Sequence, residues 1–171
     1  EARKATIAAA AHPGPVYLRF AREKTPIFTT AETPFSIGKA ELLWRGDKPE
    51  AAIIACGALV YNALSAAKKL EEEGIGTFVL NNHTVKPLDK AAVKTVACEA
   101  GAVVTVEEHQ IAGGMGSAVA EFLAGEHPIP IEFVGVRDQF GQSGSPSELI
   151  EHYGMGVSSI VEAVRRVKTR K

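Results

Sequence analysis

The chain has 171 residues, 46% of them hydrophobic, with 20 acidic residues against 19 basic ones for a net charge of -1. This is enough apolar chain for one ordinary domain with a real core, and the near-zero, evenly mixed charge gives no electrostatic case for nucleic acid or an anionic membrane as partner. No run reaches the ~18 apolar residues of a membrane span, and Cys56 and Cys98, without metal-ligand spacing, read as free thiols of a reducing, cytoplasmic compartment.

Residues 1–11 are alanine-rich and helix-forming, and Pro13-Gly14-Pro15 stops them. The opening EARKATIAAAAHPGP has no apolar signal core, cleavage site or initiator Met, and reads as the middle of a larger chain. Residues 16–20 (VYLRF) read as a strand, with Arg19 and Arg22 at or just beyond its end. Residues 25–34 hold two prolines and no periodicity, a linker with a domain boundary near Thr29. The first 28 residues therefore look like the last helix and strand of a preceding domain. Residues 35–45 fit a strand pair or one bent strand. Residues 51–56 (AAIIAC) are continuously apolar, as in a strand buried on both faces of a parallel sheet. Residues 59–73 form an amphipathic helix that turns Leu59, Ala63, Ala66, Ala67 and Leu70 inward, with Gly74 at its C-terminus. A strand over 77–80 follows, then the loop NNHTVKPLD, whose Asp89 caps a helix over 90–100. After the stretch 103–123, residues 131–136 give a further strand. Ser145 and Glu148 frame a capping box for a helix over 146–153, and Ser158 or Ser159 opens a last helix to about Val167. Repeated strand-helix units imply a mostly parallel sheet with helices on both faces.

The stretch 103–123 (VVTVEEHQIAGGMGSAVAEFL) concentrates the chemistry. Its first four residues predict a buried strand, and Glu107, Glu108 and His109 a polar loop at that strand's carboxyl end, where open α/β sheets gather ligands and partners. Gly113, Gly114 and Gly116 then turn the chain into a helix from Met115, with Val119, Phe122 and Leu123 on one face. Gly114-Met115-Gly116 half-matches a dinucleotide fingerprint, with Asp138 about 20 residues on. Val119 stands where the final glycine belongs, however, and two strand candidates precede the motif. The preferred reading of the glycines is a sharp turn and a close approach, at an interface. His109 beside two carboxylates has the makings of a general base. No nucleophile accompanies it, since Ser117 lies in G-M-G-S-A rather than G-x-S-x-G. Hydrogen bonding at an interface is the role read for Glu108 and His109. His83 reads as a loop histidine bonded to backbone. The five histidines never approach a metal spacing, so no metal site and no catalytic residue is assigned to this chain. Arg19 and Arg22 stand where a guanidinium clamps an anionic substrate, or equally where it forms a surface ion pair.

Taken together, the blocks GPVYLRFAREKTP, IGKAELLWRGD, NNHTVKPLD, VTVEEHQIAGGMGSAVAE and VRDQFGQSGSPSELIEHYG, in this order, resemble the C-terminal section of transketolase, most of all the short, split two-chain forms. The resemblance implies a three-layer α/β/α sandwich on a five-stranded, mostly parallel sheet whose first strand, over 37–43, is antiparallel to the rest. It implies that residues 1–28 end a pyrimidine-binding domain, 29–36 are a linker and 37–171 are the transketolase C-terminal domain. It further implies an enzyme of the pentose phosphate pathway that transfers a two-carbon ketol unit between sugar phosphates. That enzyme uses thiamine diphosphate with a divalent cation (Mg2+ or Ca2+) and works as a homodimer. The family's G-D-G…N diphosphate segment does not occur here, and neither Glu107 nor Glu108 matches its cofactor-activating glutamate. The cofactor thus belongs to the missing diphosphate- and pyrimidine-binding domains, and this chain alone is expected to be inactive. Arg22 in LRFAREKTP matches the family's sugar-phosphate-binding arginine, with Arg19 as second choice. The alternatives are a non-catalytic interaction module, or the same domain of 1-deoxyxylulose-5-phosphate synthase or a 2-oxoacid dehydrogenase beta subunit.

Overall fold

Five strands pair into one sheet in the computed structural model, which describes residues Glu1–Lys171. The strands are β1 (Glu41–Arg45), β2 (Ala51–Ala55), β3 (Thr77–Asn81), β4 (Val103–Gln110) and β5 (Ile131–Val136), in the order β1-β3-β2-β4-β5. β1 runs antiparallel to β3, and the other pairs are parallel. This is the sandwich expected from the sequence.

The alternation of side chains along β2 shows how the two faces divide. Ala51, Ile53 and Ala55 pack under α2 (Val60–Glu72) and α6 (Val157–Lys168), whereas Ala52 and Ile54 pack under α3 (Lys90–Ala100) and α4 (Met115–Glu126). The inward residues read for the first of these helices, Leu59, Ala63, Ala66, Ala67 and Leu70, are all fully buried. Each buried Leu, Ile or Val contributes about 1.5–3 kcal/mol.

Helix ends follow local chemistry. After α2, Gly74 at φ +77 lets its N–H reach the Glu71 carbonyl (2.9 Å) and the Ile75 N–H reach the Leu70 carbonyl (2.8 Å), and Ile75 folds back onto the core. Asp89 caps α3 at the Ala92 N–H (3.2 Å), and the capping box of Ser145 and Glu148 opens α5 (Pro146–His152).

Several boundaries differ from expectation. The first strand starts at Glu41 instead of 37, because residues 36–39 turn, with Gly38 at φ +80 and the Lys39 N–H bonded to the Ser36 carbonyl (3.0 Å). The last helix is capped by Gly156, not by a serine. The turn after α5 repeats the one after α2, with Gly154 at φ +68 and Met155 buried, so the new helix begins directly at Val157. Residues 16–20 are exposed and belong to no strand, since no neighbouring strand is present to complete a ladder beside them. The helix before them, α1 (Ala2–Ala11), buries no residue. It is tied to the body through its N-terminal turn, where Glu1 accepts from Asn81 Nδ2 (2.5 Å) and Lys4 reaches the carbonyls of Thr30 and Thr33.

Candidate functional site at the carboxyl ends of the strands

The expected polar loop after residue 106 is strand. β4 continues to Gln110, with an irregularity in its pairing with β5 between Val106 and Gln110 that spans Glu107, Glu108 and His109. Alternation sends Glu107 inward, where only 2% of it is exposed, and its two oxygens accept the N–H groups of Met115 (2.7 Å) and Gly116 (2.8 Å). Those are free donors of the first turn of α4, the place where a helix holds an anion. Glu107 is therefore an internal anion on that helix terminus. It is the residue whose role sequence reasoning missed. Its signal was an acid two positions beyond Thr105 on the inward face, with a glycine-opened helix close behind.

The glycines serve this contact. Gly113 takes φ +81, and its N–H donates to Ser117 Oγ (2.9 Å), which donates on to the Ile111 carbonyl (3.0 Å). A Cβ on Gly114 would lie 2.6 Å from the Gln110 carbonyl and 2.7 Å from the Glu107 carboxyl carbon. One on Gly116 would lie 2.6 Å from Thr105 Oγ1 and 2.9 Å from the Phe133 ring. The turn and close approach read from the sequence are thus made within the chain, between α4 and β4.

Glu108 and His109 face outward. Both are exposed, and His109 donates from Nδ1 to the Gln110 carbonyl (2.9 Å). Gln110 Oε1 accepts from the Asp138 N–H (3.0 Å), which ties the strand end to the loop after β5. Arg19 is brought to this edge, with Nη1 donating to the Glu108 carbonyl (3.1 Å). Arg22 is not. Its side chain is 89% exposed and meets only Glu23 (3.4 Å), an ion pair of little worth in water.

Cys56, at the end of β2, completes the edge. Burial, and then the charge of Glu107, push its thiol up to about 12. His83 stacks on Phe35 (centroids 4.3 Å apart) with Nδ1 3.0 Å from Thr84 Oγ1, and burial lowers its pKa. No nucleophile, base and orienting acid converge, because Glu107 is committed to α4, Ser117 to the turn and His109 to its own strand. No group of three His, Cys, Asp or Glu is placed to hold a metal ion.

Residues 38–160 match the family described as transketolase, C-terminal domain. The chain belongs to that family. Over 161 residues it is 45% identical to the 6-deoxy-6-sulfo-D-fructose transketolase subunit of Clostridium sp. (strain MSTE9), covering 94% of this chain and 49% of that protein. It is 41% identical over 160 residues to 1-deoxy-D-xylulose-5-phosphate synthase of Heliobacterium modesticaldum, covering 91% of this chain and 24% of that protein. Among solved structures, a split-gene transketolase described as an inactive beta4 tetramer superposes with a TM-score of 0.93 at 41% identity, over 99% of this chain and 55% of that one. This transketolase-family chain thus spans about half, or less, of the length of these relatives.

Enzymes of the family depend on thiamine diphosphate, and the glycine-opened terminus of α4 does not fit its diphosphate. The helix terminus that the glycine turn would offer to a diphosphate is filled by Glu107. The same contact excludes the dinucleotide reading of Gly114 and Gly116, and Val119 in the third glycine's place is fully buried.

Proposed function

We propose that this chain is the rear section of a thiamine-diphosphate-dependent transketolase that moves a two-carbon ketol unit between anionic sugars. The reading is carried by its similarity, over 94% of its length, to a protein named as a transketolase subunit. Residues 1–28 complete a pyrimidine-binding domain, 29–36 link, and 37–171 form the C-terminal domain. The cofactor and its divalent cation sit in the partner domains, and the complete enzyme is a cytoplasmic homodimer. The chain by itself is inactive, in keeping with the relative described as an inactive tetramer of its beta chain. Its free thiols suit a reducing compartment.

Arg22 is the residue of this chain that meets substrate. It stands in solvent, its only ion-pair partner a flexible neighbouring acid, as a guanidinium awaiting an anion must. A guanidinium grips a tetrahedral oxyanion through two parallel hydrogen bonds. Both a phosphate and the sulfonate of the sugar in the relative's name present such an oxyanion, and sugar phosphates are the substrates proposed here. The test compares phosphorylated substrates with hydroxypyruvate, which carries no phosphate, in Arg22→Ala complete enzyme. The loss should be roughly 10- to 150-fold in kcat/KM for the phosphorylated class and near zero for hydroxypyruvate. Equal losses on both would rule the contact out.

The likeness to 1-deoxy-D-xylulose-5-phosphate synthase supports a second reading with the same architecture. Turnover of pyruvate in place of a ketose phosphate as donor would select it.

A further inference from the structure

Arg19 and Arg22 lie three residues apart, yet the structure uses them differently. Arg22 points into solvent. Arg19 reaches back to the Glu108 carbonyl, 89 positions away. No other hydrogen bond joins residues 13–28 to the body of the domain. Residues 13–27 are otherwise an exposed chain without strand partners, and Phe28 then packs against the core.

The acceptor is a fixed point. Glu108 lies one residue beyond Glu107, whose carboxylate is held by two N–H groups of α4. On its other side, Gln110 pairs with Val136 in the sheet and accepts from Asp138, and the Ile111 N–H donates to the Val136 carbonyl (3.0 Å). The Arg19 guanidinium therefore sits at the carboxyl end of β4, bonded to the Glu108 carbonyl. The crevice beside these strand ends is where open sheets bind ligands. Here Glu1 bonds Asn81 at the end of β3, and Arg19 bonds Glu108 near the end of β4.

We infer that Arg19 is a positioning residue: it braces residues 16–22 on the Glu108 carbonyl and so fixes where Arg22 is presented. The two arginines divide the work, one as strut and one as substrate contact. The inference rests on the reading of Arg22 given above. Loss of the strut unties the segment from the end of β4, so Arg22 is presented to the anion less accurately while the chemistry downstream is untouched.

Two measurements test this, and they fail separately. The first is a double-mutant cycle in the complete enzyme. Arg19→Ala should raise KM for phosphorylated substrates about three- to tenfold with kcat nearly unchanged. In an Arg22→Ala background the same substitution should add almost nothing, because it acts through Arg22. Losses that multiply in the double variant, or a KM for hydroxypyruvate raised as much as that for phosphorylated substrates, would overturn the inference. The second needs no activity. With Cys56→Ser and Tyr17→Cys, nitroxides at position 17 and on the native Cys98 report how tightly the segment is held. Pulsed electron resonance should give a narrow distance distribution that broadens in Arg19→Ala. An unchanged distribution would overturn the strut whatever Arg22 does, whereas broadening with a silent Arg22→Ala would keep the strut and remove the substrate contact.

Discussion

Glu107→Ala is the substitution that most sharply tests the local construction. It removes the acceptor of two hydrogen bonds, 2.7 Å and 2.8 Å long, from a residue only 2% exposed. Hydrogen bonds to a charged group contribute about 1.5–3 kcal/mol each, so the gross loss is about 3–6 kcal/mol. Against it stands the desolvation of a buried carboxylate, which the variant no longer bears and which amounts to a few kcal/mol even after relaxation. Water reaching the vacated space further offsets the loss by serving the two N–H groups. The net destabilisation should be about 1–3 kcal/mol, a sizeable part of the ~5–15 kcal/mol that holds a typical domain. For a chain of this size that lowers the Tm by roughly 2–12 °C. Urea unfolding followed by circular dichroism measures it, with Glu108→Ala as the control for charge. Glu108 is exposed, and its side chain makes no bond in the structure, so its removal should stay within about 0.5 kcal/mol. Glu107→Ala as stable as the control would refute the reasoning.

Other outcomes follow from single residues. Gly113→Ala should destabilise by about 1 kcal/mol because Gly113 holds φ +81. Gly125→Ala, in α4 with nothing within 4 Å of its added methyl, should stabilise by about 0.4–1 kcal/mol; both are read by urea unfolding. At Asp89, burial raises the carboxyl pKa, but the N–H groups of Ala92 and Ala40 and the charge of Lys39 outweigh it and hold the carboxyl below its usual value. A depressed carboxyl adds stability above its unfolded pKa of about 3.9 and loses it as pH falls through the folded value. The stability of Asp89→Asn should therefore fall less steeply than the parent's below about pH 4. In the native chain at pH 8, Ellman's reagent should modify Cys98 quickly and Cys56, with its thiol pushed up to about 12, slowly, and urea should equalise the two.

What could be read from the sequence was what neighbours in sequence decide. Asp89 caps α3 three residues on, and Ser145 and Glu148 close their box within one turn, so both were visible as spacing. AAIIAC and the inward face of α2 were visible because burial on both faces, or on one helical stripe, writes a regular pattern. Glu107 was not. An acid after four strand residues suggests a strand end, and only the later return of α4 onto β4 shows that its carboxylate has donors to meet. Residues 16–20 fail for the opposite reason. They have strand composition, but a strand exists only with a neighbour, and none lies beside them. The difference between Arg19 and Arg22 is likewise settled across 89 positions and not by their shared motif.

The central claim is that this chain supplies the rear of the enzyme and leaves the cofactor to other domains. Calorimetric titration of thiamine diphosphate with Mg2+ tests it most directly, run on the 171-residue chain alone and on the complete enzyme. The account predicts saturable binding by the complete enzyme and no binding heat from the chain alone. Micromolar binding by the chain alone would contradict it.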